Sequence, residues 1–481
     1  MSVLENLEPK RVFHYFEELS KIPRASYHEE KVSAWLVKFA EEHNLEHYTD
    51  EVHNVIMIKP AAKGYEDQPA IILQGHMDMV CEKVAGLEKN MIEEGLDIKE
   101  DGKYVYAEGT TLGGDDGIAV AYALALLEDE TLKAPRLEFV CTVSEEVGME
   151  GARAIDLSML EGNLVLNMDS EVEGTLLAGC AGGASAKVAL PVEWEKKKGT
   201  VVSVKLEGFT GGHSGVEIIK QRGNASVLFA RLLSAALDEG RAYVISYRGG
   251  LKENAIPKRG EGQLLVLNDD VDAVLQGLRT EADHIISEYH ITDPELRIEI
   301  EKAEVAEKTV LTSECTESMA ALLQALPNGI QRMSVSIENM PETSLNLGIC
   351  KLSNQGLFLQ YAVRSAYASA RDDLDRKLRV IATYFGAEVN FGGEYPAWEY
   401  NETSPFRDKM VHIYEEMFGE TPKIDTIHAG LECGLLSDKI KNLDAVSMGP
   451  NILDIHTTDE RLDIASTERM YRYIRQVLET K

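Results

Sequence analysis

The chain has 481 residues, enough for two or three domains, and its 44% hydrophobic and 27% charged residues are an ordinary globular balance able to bury a large core. Its 49 basic and 81 acidic residues leave a formal net charge of −32, which argues against nucleic acid or an anionic membrane surface as the main partner. That acidity suits a site that collects cations, although solubility alone is a sufficient explanation for it.

In chain order, "MSVLENLEPKRVFHYFEELS" mixes charges with apolar residues at helical spacing, so no signal peptide is expected. "HEEKVSAWLVKFAEEHN" continues the helical pattern. "NVIMIKPA" and "PAIILQGHMD" read as strands, and "KYVYAEGT" as a short one. "GIAVAYALALLEDE" is expected to be a helix, preceded by a glycine-rich turn and an aspartate able to cap it. Its apolar run, 120–127, is far too short to cross a bilayer. "RLEFVCTVSEE" reads as a strand ending in two glutamates, and "NLVLNMDSE" as one ending in an aspartate. Strands alternating with helices imply a mixed, mostly parallel sheet, whose ligands sit at the carboxyl ends of the strands.

From about residue 188 the strands become amphipathic, as in "SAKVALPVEWE", "GTVVSVKLEGFTGGHSG" and "GQLLVLND", with helices such as "NASVLFARLLSAALDEG" between them. The region is long enough for two similar α+β halves. After about 396 the α/β style returns and ends in "ASTERMYRYIRQVLETK". The expected architecture is an α/β domain of two segments, 1–187 and 397–481, with an α+β domain, 188–396, inserted between them. The six cysteines, Cys81, Cys141, Cys180, Cys315, Cys350 and Cys433, show no paired spacing and no C-x-x-C. They are read as free thiols of a reducing cytoplasm, which is the expected location.

Four acidic or histidine clusters fall at strand ends or loops of the α/β part: His76 and Asp78; Asp115 and Asp116; Glu145 and Glu146; and Asp169. His456 in "ILDIHTTDE" is a fifth candidate. Each alone has a plain reading as a cap, a turn former or a solvated charge. Together they converge where such a sheet builds its sites, and carboxylates brought together there repel one another without bound cations. Imidazole with carboxylate suits Zn, Mn or Co. Between Asp115 and Asp116 the residues themselves do not choose. No dinucleotide or phosphate-loop glycine motif follows a strand, so a nucleotide-binding reading fails.

"GHMDMV", "GTTLGGDDGIAVAYAL", "TVSEEVGMEGA", "NMDSE", "GGHSG", "NAIP" and "DIHTTDE" resemble, in order and spacing, the M20 family of di-zinc peptidases. "LQGHMDMVCEK" and "IHAGLECGLL" are similar to its aminoacyl-histidine (Xaa-His, carnosinase-like) dipeptidase branch. The resemblance implies two divalent metal ions per chain, Zn2+ first and Mn2+ or Co2+ as alternatives, roughly 3.5–4 Å apart. By the family pattern His76 and Asp169 ligate one ion, Glu146 and His456 the other, and Asp115 bridges both. Asp78 is expected to orient the His76 ring, its side chain sharing a strand face with it. Glu145 is the implied general base. Extended backbone would turn Glu145 and Glu146 apart, one to the water and one to the metal.

His213 of the inserted lid is the implied oxyanion donor, with a turn histidine as the plain alternative. In some family members this histidine comes from the partner subunit, and a homodimer is the family's habit; the sequence leaves cis and trans supply open. Arg364 is a candidate fork for a peptide carboxylate, or else a surface charge. Asn254, His428 and Glu432 are further substrate candidates, Glu432 for an amino group. Asp116 stands where the branch commonly has asparagine, which adds a negative charge beside the metals. The implied function is hydrolysis of unblocked dipeptides, favouring Xaa-His and β-alanyl-histidine. A tripeptidase or N-acyl amino acid deacylase is the nearest alternative, and a non-catalytic metal-binding protein the remotest, because every family position is filled.

Overall fold

In the computed structural model, which describes residues 2–481, the chain divides into two units. The first holds the residues up to Gly179 together with Tyr400–Thr426 and Leu431–Lys481; the second holds Cys180–Glu399 and Ile427–Gly430. Each has its own apolar core.

The first unit is organised by an eight-stranded sheet. Its centre is four parallel strands, in the order Leu137–Thr142, Ile71–His76, Leu164–Asn167 and Asp444–Ser447. Glu46–Thr49 and Val55–Lys59 extend one flank antiparallel. Every residue of Ile71–His76 and Leu137–Thr142 is buried, which is why their apolar runs do not alternate. Helix Gly114–Glu128 is apolar all round and buried along nearly its whole length; Tyr122 donates to the Thr467 carbonyl of helix Ile464–Glu479. Parallel strands in register run out together, so His76, Thr142 and Asn167 end at one edge.

Helix Gly114–Glu128 departs from expectation at its start. Asp115 and Asp116 have non-helical backbone angles, and the N-cap residue, Gly113, has no side chain to cap the helix. A second sheet, of Ile98–Glu100, Tyr104–Ala107, Arg461–Asp463 and Ile452–Leu453, supplies what is missing. The hairpin between its last two members carries His456 and Glu460.

The second unit is built on an antiparallel sheet in the order Arg297–Leu311, Trp194–Glu207, Gly260–Val266, Ala242–Gly249, Pro341–Ser353, Gly356–Ser365, Gly182–Leu190 and Glu388–Tyr395, with Gly329–Met333 pairing Pro341–Ser353. Two β-α-β-β-α-β units lie edge to edge in it. One runs Trp194–Glu207, helix Ala225–Glu239, Ala242–Gly249, Gly260–Val266, helix Val271–Tyr289, Arg297–Leu311. The other uses Gly182–Leu190, helix Ser313–Ala325, Pro341–Ser353, Gly356–Ser365, helix Ala368–Tyr384 and Glu388–Tyr395. The join is the pairing of Arg248 and Gly249 with Lys351 and Cys350. The repeat spanning 194–311 sits whole between strand Gly182–Leu190 and helix Ser313–Ala325 of the other repeat, so the duplication is split in sequence and reunited in the sheet.

Candidate metal centre

His76 ends its strand 1% exposed. Its Nε2 lies 3.2 Å from Asp115 Oδ1 and 3.5 Å from Asp169 Oδ1. The other Asp115 oxygen, Oδ2, lies 3.1 Å from His456 Nε2, which is 3.0 Å from Glu146 Oε2. One carboxylate thus spans two imidazoles, each with a second carboxylate beside it. Two sets of ligand atoms gather within one ion's reach: His76, Asp116 and Asp169; and His76, Asp115 and Glu146. Glu146 Oε1 is buried without a hydrogen-bond partner. Two imidazole nitrogens among four carboxylates, with one buried oxygen unsatisfied, fit hard or borderline divalent cations.

Charge is compressed here. Burial, helped by Asp115 and Glu171 and opposed by His76, pushes the Asp169 carboxyl up to about 7. Hydrogen bonds to Asp115 and Glu146 raise His456 to about 11 against its partial burial. Asp115 is lowered despite burial, because both histidines hold it. Burial first, then Asp169 and Asp115, push Asp116 well above the carboxylate range. Asp116 is 1% exposed and accepts the His76 backbone N–H at 3.2 Å.

The glutamate pair is not extended. Glu145 and Glu146 lie in a turn after Ser144, whose φ is +51°. Asp78, fully buried, holds that turn: Oδ1 accepts Glu145 N–H at 3.0 Å, and Oδ2 accepts Glu146 N–H at 3.3 Å and Ser26 Oγ–H at 2.7 Å. A backbone reversal, rather than strand alternation, separates the two glutamates. Asp78 Oδ1 also lies 3.3 Å from His76 Nδ1, although the alignment falls short of a hydrogen bond. Asp78 therefore positions the glutamates at least as directly as the imidazole. Ser144 is anchored in turn by buried Glu29, which accepts both its N–H and its Oγ–H at 2.8 Å. Burial, with Asp169, Glu432 and Glu146, raises Glu145 well above the ordinary carboxyl, against the pull of His76.

Glu432 keeps its Oε1 buried without a hydrogen-bond partner. It is 0% exposed, and its Oε2 accepts from Thr142 Oγ1 at 2.6 Å and from Gln74, a polar strut within the sheet.

The second unit holds a different cluster. Arg364 is 8% exposed, so the surface-charge alternative fails; it donates to Tyr395 Oη at 2.6 Å, while its Nε is buried without a partner. His213 Nδ1 accepts N–H groups from Gly215 and Val216 at 3.3 and 3.4 Å, and its Nε2 lies 3.4 Å from Arg364 NH2. His428, buried, is 2.7 Å from Ser344 Oγ. A Cβ on Gly215 would lie 2.3 Å from the His428 carbonyl and about as close to His213 and Arg364 as any atom tolerates, at 3.0 and 3.2 Å. Burial and Arg364 push His213 down to about 4; burial, Arg364 and His213 push His428 down to about 3. Asn254 is exposed, with its carbonyl accepting Ser214 N–H at 2.8 Å.

Arg24, Ser26, Glu29 and Glu460 had no assigned role in the sequence reading. Glu460 lies within the quoted "DIHTTDE", which is its one signal; "IPRASYHEE" is an ordinary inter-helix loop until the fold places it.

A histidine–carboxylate cluster at the ends of parallel strands defines a metal-dependent hydrolase, and the chain belongs to peptidase family M20/M25/M40, matched over residues 72–480. It is a hydrolase acting on peptide bonds. It is 33% identical over 480 residues to the cytosol non-specific dipeptidase of Escherichia coli (strain K12), covering 99% of both chains. The crystal structure of aminoacylhistidine dipeptidase from Vibrio alginolyticus matches with a TM-score of 0.92 at 32% identity, over 99% of this chain and 97% of that one. Aminopeptidase PepT from Bacillus cereus shares the fold, with a TM-score of 0.55 at 15% identity over 98% of each chain. Among the described residues, no helix is long and apolar enough to cross a membrane.

Proposed function

We propose that this chain is a cytoplasmic, metal-dependent dipeptidase that hydrolyses unblocked dipeptides, favouring Xaa-His and β-alanyl-histidine. The observation that carries the reading is Asp115, with one oxygen on each histidine. The names of the full-length relatives, a non-specific dipeptidase and an aminoacylhistidine dipeptidase, support the substrate class.

His76 and Asp169 would hold one divalent ion, His456 and Glu146 the other, with Asp115 shared; zinc is the first choice, manganese or cobalt the alternatives. When bound, such ions polarise the scissile carbonyl and acidify water. Glu145 takes the proton of the attacking water and returns it to the leaving amine nitrogen. A carboxyl raised toward neutrality suits both transfers. Asp78 fixes where Glu145 starts by holding its backbone N–H. His213 is assigned to the developing oxyanion, and Arg364 to the peptide's carboxylate, its free Nε supplying a further donor. His428 and Asn254 are assigned to substrate contact, and a homodimer is the proposed assembly.

The test is to strip the protein of metal, restore Zn2+, Mn2+ or Co2+ in turn, and follow hydrolysis of β-Ala-His, Gly-His, Ala-Ala, a tripeptide and an N-acetyl amino acid. Metal-dependent cleavage of the histidyl dipeptides is expected. Cleavage of the tripeptide or the acetylated substrate alone would refute the dipeptidase assignment, and inactivity with two ions bound would refute catalysis.

A further inference from the structure

Glu460 is 3% exposed, and its carboxylate accepts four successive backbone N–H groups: Leu112 and Gly113 on Oε2 at 2.7 and 2.9 Å, Gly114 and Asp115 on Oε1 at 2.8 and 3.3 Å. Three of them, Gly113 to Asp115, are amides that the start of helix Gly114–Glu128 leaves without intrahelical partners. Glu460 follows His456 by four residues on the same hairpin.

Arg24 works from another side. Its side chain is 1% exposed, NH1 donates to the carbonyls of Met77 and Asp78 at 3.0 and 2.9 Å, and NH2 donates to the carbonyl of Gly113. Its backbone is tied to the same segment, its carbonyl accepting Met79 N–H at 3.2 Å. Gly113, at φ +66°, and Gly117 make the room: a Cβ on either would come within 2.4 and 2.6 Å of the guanidinium NH2. The Gly113 residue is thus gripped through its N–H by Glu460 and through its carbonyl by Arg24. Two buried ionised groups share that residue instead of pairing with each other, and each reaches a segment that carries a histidine.

We propose that Arg24 and Glu460 are positioning residues that clamp the Asp115 loop between the His76 segment and the His456 hairpin, setting the spacing of the ligands before any ion arrives; the inference rests on the metal centre proposed above. The donors come from three places far apart in sequence, 76–78, 112–115 and 456–460, and the clamp joins all three. Groups that orient ligands in this way are worth about 10–100-fold in metal affinity.

The experiment is a Zn2+ titration of the metal-stripped full chain against a chromophoric chelator, with thermal unfolding measured on the same samples. Glu460→Gln keeps the shape but turns two acceptors into one and sets a donor against backbone amides. Arg24→Lys keeps the charge but loses the fork. The control is Glu138→Gln, another buried carboxylate that accepts Glu161 and Gly162 N–H at 2.9 and 3.0 Å, at the far end of its strand. Both clamp variants are expected to bind Zn2+ about 10–100-fold more weakly. Glu138→Gln should lose comparable thermal stability with its Zn2+ affinity intact. Wild-type affinity in both clamp variants would overturn the inference, and so would an equal loss in the control. Should Glu460→Gln not fold, Arg24→Lys decides alone. A wild-type chain that binds no Zn2+, Mn2+ or Co2+ would instead overturn the metal centre itself.

Discussion

The two units solve opposite electrostatic problems. In the first, buried carboxyls crowd together and are driven up toward neutrality, as at Asp116, Glu145 and Asp169. In the second, one buried and one half-buried imidazole beside a guanidinium are driven down, His428 to about 3 and His213 to about 4. Burial is the leading cause at all five, and in each case it favours the uncharged form. The first cluster is therefore short of cations, and the second presents one fixed cation and neutral donors. A site of the first kind wants divalent metal; a site of the second wants a carboxylate or an oxyanion.

The largest effect should come from breaking the first cluster's chemistry while leaving its binding. Glu145→Gln is expected to lower kcat by about 10²–10⁴-fold, with two metal ions still found by elemental analysis. A loss of metal alongside the activity would return Glu145 to the ligand set.

Removing the cations tests the shortage itself. Metal-stripped protein should unfold at lower temperature than protein saturated with Zn2+. Saturation at about 100 times Kd corresponds to about 2.7 kcal/mol. His456→Gln should reduce the stoichiometry from two ions toward one, read by titration. An unchanged melting temperature on adding metal would contradict the reading of the cluster as cation-deficient.

In the second unit, Arg364→Lys is expected to raise KM for dipeptides about 10–100-fold, the worth of a charge-assisted hydrogen bond at about 1.5–3 kcal/mol. Metal stoichiometry should not move. An unchanged KM would deny the arginine its carboxylate.

The smallest effect is a titration. With folded values near 4 and 3 against an ordinary imidazole near 6.5, His213 and His428 bind protons more readily in the unfolded chain. Their contribution to stability is complete above about pH 6.5 and is lost as pH falls below it, the reverse of a histidine held by a carboxylate. NMR of the imidazoles should show both neutral at pH 5.5, and His428→Gln should flatten the acid limb of the stability profile. A His428 signal titrating near 6.5 would show that the second cluster is open to water.

Much of this was legible because it is written in local pattern. The apolar runs at 71–76 and 137–142 marked buried parallel strands, and five short motifs marked the acidic and histidine groups. What was misread depended on backbone conformation. Glu145 and Glu146 were read as extended, yet Ser144 at φ +51° turns them. The aspartates before helix Gly114–Glu128 were read as able to cap it, yet a glutamate 345 or more residues away does that work. Charge state was not legible either: burial, with Asp169 and Asp115 beside it, pushes the Asp116 carboxyl well above its ordinary range.

By itself, then, the sequence determined which side chains exist to bind and to transfer protons, since residue type and strand-end position are local properties carried by period and turn chemistry. The tertiary structure alone decided which oxygen meets which nitrogen, which carboxyl stays neutral, and that Arg24 and Glu460 grip one glycine from two sides. Those outcomes depend on distances and burial between segments hundreds of residues apart, where hydrogen bonding and desolvation act through space and leave no periodic trace along the chain.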